Sequence, residues 1–137
     1  DESVIYVLSR SSKSYITTLV MPNKTKINAM AYDGKNVWLT QGKKVVRFSY
    51  EMISKAVASG SAYTELAAFD ETYSIATKGS YMAYRDHVLW IGAYNSKLAT
   101  RMYGYVVQTN TTGAVSLTRK YYMAMPYPLT RMVICMW

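Results

Sequence analysis

A short phrase of the sequence occurs twice, 52 residues apart. Met-Ala-Tyr at 30–32 is followed by Trp38, and Met-Ala-Tyr at 82–84 is followed by Trp90 at the same spacing. A recurrence at this distance indicates a chain built from similar units, each of which buries its apolar side against its neighbours. We therefore expect the two tryptophans to be core residues of two equivalent units.

Within each unit the sequence consists of short β-type runs separated by turn residues. β-branched and aromatic residues dominate these runs, as they do on pleated, half-buried strands. Asp33-Gly34 is a favoured hairpin turn between two of the runs. The predicted strands are 4–11, 15–22, 27–34, 36–42, 44–50, 63–69, 79–86, 87–94, 100–109 and 116–125.

One segment breaks the strand pattern. The sequence EMISKAVASG at 51–60 has helical spacing of its apolar residues and ends in Gly60, a residue that commonly terminates helices. We predict a short helix here, with an apolar face formed by Met52, Ile53, Ala56 and Val57.

These patterns predict an all-β protein made of antiparallel four-stranded repeat units, with two to three sheets and one short helix. The chain would form a single domain, or a fragment of one, over residues 1–137. Its repeat units would span about residues 15–60 and 63–113, followed by a partial third unit at 115–137.

Two stretches resemble the blade hairpins of β-propeller repeat proteins. AYDGKNVWLTQGKKVVRFSY at 31–50 combines a small residue, Asp-Gly, an aromatic residue on the next strand and a polar turn, and LWIGAYNSKLATRMYGYVV at 89–107 is similar with a longer turn. The resemblance is to secreted bacterial propellers rather than to the WD-repeat class, because the chain has no Trp-Asp dipeptide and no Gly-His opening. It implies propeller-blade-like sheets and no particular activity, since propellers host unrelated functions.

The length of the chain leaves its assembly open. Propellers close with about four to eight blades, whereas 137 residues hold only two complete 52-residue periods and part of a third. Because the chain also begins with Asp rather than Met, the simplest expectation is a processed product or a piece of a longer protein. The alternatives are self-association into a ring and an open stack of sheets. Exposed strand edges would favour pairing with missing blades or with another copy.

The charge of the chain is positive and unevenly distributed. The net charge is +8, from 16 lysines and arginines against 8 acidic residues, and no Asp or Glu follows Asp86. Such asymmetry favours attraction to a polyanion, such as a wall polymer, an acidic glycan, an anionic lipid or a nucleic acid. Nucleic acid is not the expected partner, because no RNA-binding motif accompanies the charge. The alternative is a solvated basic surface without a specific partner.

Aromatic residues alternate with basic ones near the C-terminal end. The chain has 14 tyrosines, and tyrosine combines an apolar ring with a polar edge that suits stacking on sugars or bases. The alternative is an ordinary strand whose side chains alternate between two faces. The candidate binding residues are Arg101, Arg119, Lys120, Tyr121, Tyr122 and Tyr127.

No set of residues has the spacing of a catalytic or cofactor site. The single histidine, His87, follows Asp86, and adjacent strand residues point to opposite faces, so we expect a surface histidine beside a turn. The single cysteine, Cys135, lies among apolar residues and is expected to be a core residue. No catalytic residue, cofactor or metal site is therefore assigned.

Three acidic residues keep a metal-dependent alternative open. Glu65, Asp70 and Glu71 could ligate calcium at a strand end, although their spacing does not match an EF-hand loop. The alternative is a solvated acidic loop without a metal.

The favoured function is a non-catalytic binding module of an extracellular or cell-surface protein, recognising carbohydrate or an anionic polymer. One alternative is a fragment of a propeller-type hydrolase or lactonase that uses a metal. Another is a structural segment without a ligand of its own. No apolar run approaches the roughly 18 residues of a membrane-spanning helix, so no transmembrane segment is expected.

Overall fold

The computed structural model describes residues 2–24 and 26–125, which form three β-sheets and one α-helix. The all-β class with one short helix is confirmed. The elements are β1 (Val4–Leu8), β2 (Tyr15–Val20), a 3-10 turn (Pro22–Lys24), β3 (Ala29–Tyr32), β4 (Asn36–Gln41), β5 (Lys44–Ser49), α1 (Glu51–Ser59), β6 (Tyr63–Glu65), β7 (Glu71–Ser74), β8 (Tyr81–Arg85), β9 (Val88–Gly92), β10 (Thr100–Thr109) and β11 (Val115–Met125).

The strands form three sheets, here called sheets I, II and III. Sheet I has the order β1-β2-β6, sheet II has the order β3-β4-β5-β7, and sheet III has the order β8-β9-β10-β11. All strand pairs are antiparallel except β2 with β6, which is parallel. The predicted strand at 63–69 is shorter than expected and joins sheet I, and the strand at 116–125 forms the edge of sheet III. None of the three sheets closes into a propeller.

The 52-residue repeat is visible as equal strand register in sheets II and III. Three cross-strand pairs between β3 and β4 recur between β8 and β9 at the same positions. The pairs in sheet II are Met30 with Leu39, Ala31 with Trp38 and Tyr32 with Val37, and their counterparts in sheet III are Met82 with Ile91, Ala83 with Trp90 and Tyr84 with Leu89.

The centre of sheet II is buried on both faces. Four consecutive residues of its second strand, 37–40, are at most 4% exposed, although alternate residues of a strand point to opposite faces. Val37 and Leu39 pack in a cluster with α1 and sheet I. Trp38 packs in a second cluster with sheet III. The molecule is thus a stack in which sheet II lies between sheet I with α1 and sheet III.

Hydrogen bonds tie sheets II and III together at both sides of their interface. The first strands of the two sheets, β3 and β8, contact each other. The Thr40 hydroxyl donates to the Gly79 carbonyl at 2.7 Å just before β8. At the opposite edge, the Tyr73 hydroxyl lies 2.8 Å from the Val115 carbonyl oxygen. The Thr40 bond is buried and the Tyr73 contact is partly buried, and hydrogen bonds of this kind fix the relative position of the sheets as well as stabilising them.

The two repeated tryptophans have different surroundings. Trp38 is fully buried, and its indole N–H donates to Asp33 Oδ2 at 2.8 Å. Trp90 is only half-buried and belongs to neither apolar cluster. The prediction of a core position is confirmed for Trp38 and wrong for Trp90. The physical reason is that Trp90 lies on the side of sheet III that faces away from sheet II.

The predicted helix is confirmed as α1, and Gly60 ends it in the left-handed conformation with a φ of 69°. Ala56 is buried, and Met52 and Ile53 pack against the same cluster. Val57 was expected on this apolar face, but it is 40% exposed. The nine-residue helix buries only a narrow stripe of side chains, and Val57 lies at the edge of that stripe.

The different surroundings of the two tryptophans predict different stability losses. Trp38→Ala should lower the free energy of unfolding by about 3–5 kcal/mol, because it empties a buried site and removes a hydrogen-bond partner of Asp33. Trp90→Ala, its control at the equivalent repeat position, should lower it by about 1–2 kcal/mol. Urea unfolding of both variants measures the difference. Equal losses would contradict a stack in which sheet III has one open face.

Candidate functional site

A shallow concavity on sheet III brings together most of the predicted binding residues. It encloses about 240 Å³ and is open to solvent. Five of the six predicted residues line it, and the sixth, Tyr127, lies outside the described residues. The lining side chains are Arg101, Tyr103, Arg119, Lys120, Tyr121 and Tyr122.

The concavity is built on the two longest strands, β10 and β11. Tyr103 pairs with Tyr122, and Gly104 pairs with Tyr121. The next pair is Tyr105 with Arg119, so Lys120 is an extra residue in a β-bulge. A bulge interrupts the alternation of side chains between the two faces. As a result, residues 119 and 122 share a face although they are three positions apart.

Two arginines of the concavity stack on tyrosine rings. The guanidinium carbon of Arg119 lies 5.4 Å from the centroid of the Tyr103 ring. The guanidinium carbon of Arg101 lies 5.8 Å from the centroid of the Tyr122 ring. Each such cation–π contact is worth about 0.5–1 kcal/mol at an exposed site. Stacking uses the flat face of the guanidinium, whereas its N–H donors lie in the plane and point outward.

The concavity carries positive charge without a carboxylate among its lining residues. No Asp or Glu follows Asp86 in the sequence. The salt bridges of residues 2–24 and 26–125 involve Arg47 and Arg85, and none involves a cation of the concavity. Neighbouring like charges repel one another unless an anion lies between them. The site therefore has the electrostatics of an anion-binding surface.

Trp90 lies beside Tyr121 on the face of sheet III that is opposite to Tyr103 and Tyr122. Its ring stacks on that of Tyr121, with centroids 5.8 Å apart and planes inclined by 29°. The intervening strand residue is Gly104, and a Cβ there would lie 2.9 Å from Trp90 Cζ3. Glycine is thus required for this close approach. Tyr103 and Gly104 were not among the residues predicted from the sequence, although the two-residue spacing of Arg101 and Tyr103 places these two side chains on one face of β10.

A second polar cluster surrounds Arg47 on sheet II. Its Nε donates to the Tyr73 hydroxyl at 3.0 Å, and its Nη2 lies 3.2 Å from Glu71 Oε2. Its Nη1 lies 3.6 Å from Asp70 Oδ2. Two of the acidic residues considered as calcium ligands therefore lie beside an arginine. Among residues 2–24 and 26–125 there is no group of three or more His, Cys, Asp or Glu that could hold a metal ion.

The contacts in this cluster shift three pKa values. Burial lowers the pKa of Arg47, but hydrogen bonds to Tyr73 and Glu71 outweigh burial and raise it overall. The hydrogen bond from Tyr73 lowers the pKa of Glu71, and Arg47 lowers it further. Burial raises the pKa of Tyr73. These shifts keep Arg47 and Glu71 charged and Tyr73 neutral, which is the state of an ion pair that links β5 to β7.

Asp86 and His87 form the two-residue turn between β8 and β9. Both have positive φ angles, 50° and 65°, and Arg85 pairs with Val88 across the turn. Two positive φ angles are typical of a tight hairpin turn that matches strand twist. His87 is exposed, as expected, but it lies in the turn itself and not on the strand that follows. Cys135 lies outside the described residues.

Searches against protein-family models, curated proteins and solved structures found no match for this chain. Within the described ranges, no helix has both the length and the apolar character needed to cross a membrane. The function must therefore be inferred from the geometry of the site.

The lowered pKa of Glu71 predicts a pH-dependent contribution to stability. Because the pKa is lower in the folded chain than in the unfolded one, where it is about 4.3, the contribution is complete at neutral pH. It is lost as the pH falls through about 4 towards the folded value. Glu71→Gln should thus be less stable than the native chain at pH 7 by less than about 1 kcal/mol, because water screens this half-exposed carboxylate.

Urea unfolding at neutral and acidic pH tests this expectation. The difference between Glu71→Gln and the native chain should shrink progressively as the pH falls below about 4, because the carboxylate is protonated first in the unfolded chain and then, at lower pH, in the folded one. Glu2→Gln, at an exposed position outside the cluster, is the control. A difference that persists unchanged at acidic pH would mean that the ionised carboxylate is not what stabilises the link.

Proposed function

We propose that the chain is a non-catalytic binding module that recognises an acidic polysaccharide through the concavity on sheet III. The observation that supports this most strongly is the pair of arginines, Arg101 and Arg119, each stacked on a tyrosine ring and free of carboxylate partners among the described residues. Arginine held in this way presents a planar set of N–H donors that matches carboxylate and sulfate groups.

The exposure of the tyrosines favours a sugar polymer as the ligand. Tyr122 is 70% exposed and Tyr121 is 44% exposed, so each ring retains accessible surface beside its stacked partner, Arg101 or Trp90. Aromatic rings offer an apolar surface to the C–H faces of sugars and a hydroxyl to their polar edges. The concavity is shallow, whereas pockets for small molecules enclose most of their ligand. An open surface along two long strands suits an extended chain that lies across it.

The architecture proposed to carry this site is an open stack of propeller-blade-like sheets. Sheet III is a four-stranded antiparallel meander, and sheet II has the same strand arrangement with α1 and β6 inserted before its last strand. The repeated register and the contact between β3 and β8 support this proposal. We further propose that the chain belongs to an extracellular or cell-surface protein, because that is where acidic polysaccharides are met.

Binding of polygalacturonate and of heparin, with neutral dextran for comparison, tests the proposed function. The double variant Arg101→Gln, Arg119→Gln should weaken binding at low salt by about tenfold or more, because each arginine donates charge-assisted hydrogen bonds. Raising the salt concentration should weaken binding by the native chain, since ions screen exposed charges. Isothermal titration calorimetry measures both effects.

The matched control is the double variant Arg10→Gln, Lys13→Gln in the turn between β1 and β2. It removes the same charge from a distant surface and should leave the affinity within about twofold. Equal weakening by both double variants would show attraction by net charge alone and would overturn the proposed site. Equal binding of dextran would also overturn it, and stronger binding of DNA than of polysaccharide would assign the site to another ligand class.

A further inference from the structure

The outer face of sheet III is apolar and has no partner among the described residues. Strand alternation and pairing place one set of side chains on this face, opposite to the residues that pack against sheet II. Neither apolar cluster includes any of them. The outer face of sheet III is formed by Ala83, Trp90, Met102, Val106, Tyr121 and Met123.

The repeat shows what kind of surface this is. Ala83 and Trp90 are the counterparts of Ala31 and Trp38 in sheet II, with the same cross-strand pairing. In sheet II that pair packs under sheet III. The outer face of sheet III therefore corresponds to a sheet face that already binds another sheet within this molecule.

The opposite end of the stack carries a second uncovered face. On sheet I, alternate residues of β1 point away from the core, with Tyr6 67% exposed and Leu8 58% exposed. Thr18 on β2 pairs with Tyr6 on one side and with Tyr63 of β6 on the other, so Tyr63 shares the face of Tyr6. Tyr63 is 71% exposed. Large apolar patches of this kind on a soluble protein commonly mark sites of association. The outer face of sheet I is formed by Val4, Tyr6, Leu8, Tyr15 and Tyr63.

The two internal sheet contacts have the same direction. Sheet I packs against the face of sheet II that carries Val37 and Leu39. Sheet II packs in turn against the face of sheet III that carries their repeat counterparts, Leu89 and Ile91. Sheet II contacts sheet III through its tryptophan-bearing face, and the corresponding face of sheet III, which carries Trp90, is uncovered among the described residues. A further sheet packed on the Trp90 face of sheet III would continue this order. Among the described sheets, the other one with an uncovered face is sheet I.

We propose that the outer face of sheet III binds the outer face of sheet I of a second copy of this chain, so that copies stack head to tail. The contact would continue the existing sheet-to-sheet packing from one copy to the next. Such an interface joins two different surfaces of the chain. It produces a ring if the rotation from one copy to the next returns to the first copy, and a filament if it does not. The interface shares Tyr121 with the concavity but does not include Arg101 or Arg119, so the two proposals are tested with different variants.

Light scattering after size-exclusion chromatography tests the proposal. The native chain should show a mass above 15.5 kDa that rises with concentration between about 1 and about 100 µM, the range expected for a modest Kd. Tyr6→Glu on sheet I and Met123→Glu on sheet III should each remove this increase. Both residues are more than half exposed, so neither change should prevent folding, and a thermal melt checks this. Val57→Glu on α1, outside both faces, is the control and should associate as the native chain does.

A mixture of the two variants gives the sharpest result. Tyr6→Glu retains an intact sheet III face and Met123→Glu retains an intact sheet I face, so an equimolar mixture should form dimers and nothing larger. A native chain that stays monomeric throughout the concentration range would overturn the proposal, including the case in which another segment of the chain covers either face. Loss of association in only one variant would also overturn it, because that pattern indicates a contact between two identical faces.

Discussion

The burial of sheet II on both faces is the constraint on which the rest of the structure depends. Its second strand contributes Val37 and Leu39 to one apolar cluster and Trp38 to the other. A sheet of this kind is stable in water only when both faces are covered, since each fully buried large side chain contributes about 1.5–3 kcal/mol. Sheet I with α1 covers one face, and sheet III covers the other. The order of the three layers follows from this requirement.

The same constraint explains how sheet III combines core and surface roles. Near its start, β11 contributes the buried Val115 to the contact with sheet II. From residue 118 onward its side chains are largely exposed, and this stretch holds the cations and tyrosines of the concavity. The well-packed end of the sheet holds its strands in place, while the uncovered part can meet a ligand. Trp90 adds support by stacking behind Tyr121.

Sequence patterns predicted most of the local structure because they act over short distances. Every predicted strand overlaps an observed one, and α1 ends at the glycine that indicated its end. The short strand β7 was missed because its residues bear no clear alternation, and pairing with β5 together with the Arg47 ion pairs holds it in the sheet. Four of the candidate binding residues, 119–122, were predicted because aromatic and basic residues are adjacent in the sequence of β11, and the structure places them beside Arg101 of β10 in one concavity.

The sequence by itself determined the all-β class, the repeat, the helix and the positive charge of the C-terminal part. These depend on side-chain periodicity, turn residues and the absence of acidic residues after Asp86. Only the tertiary structure decided which tryptophan is buried, because burial depends on whether another sheet covers that face. It also decided that Arg119 and Tyr122 share a face, because a bulge shifts the alternation of β11 only through its pairing with β10.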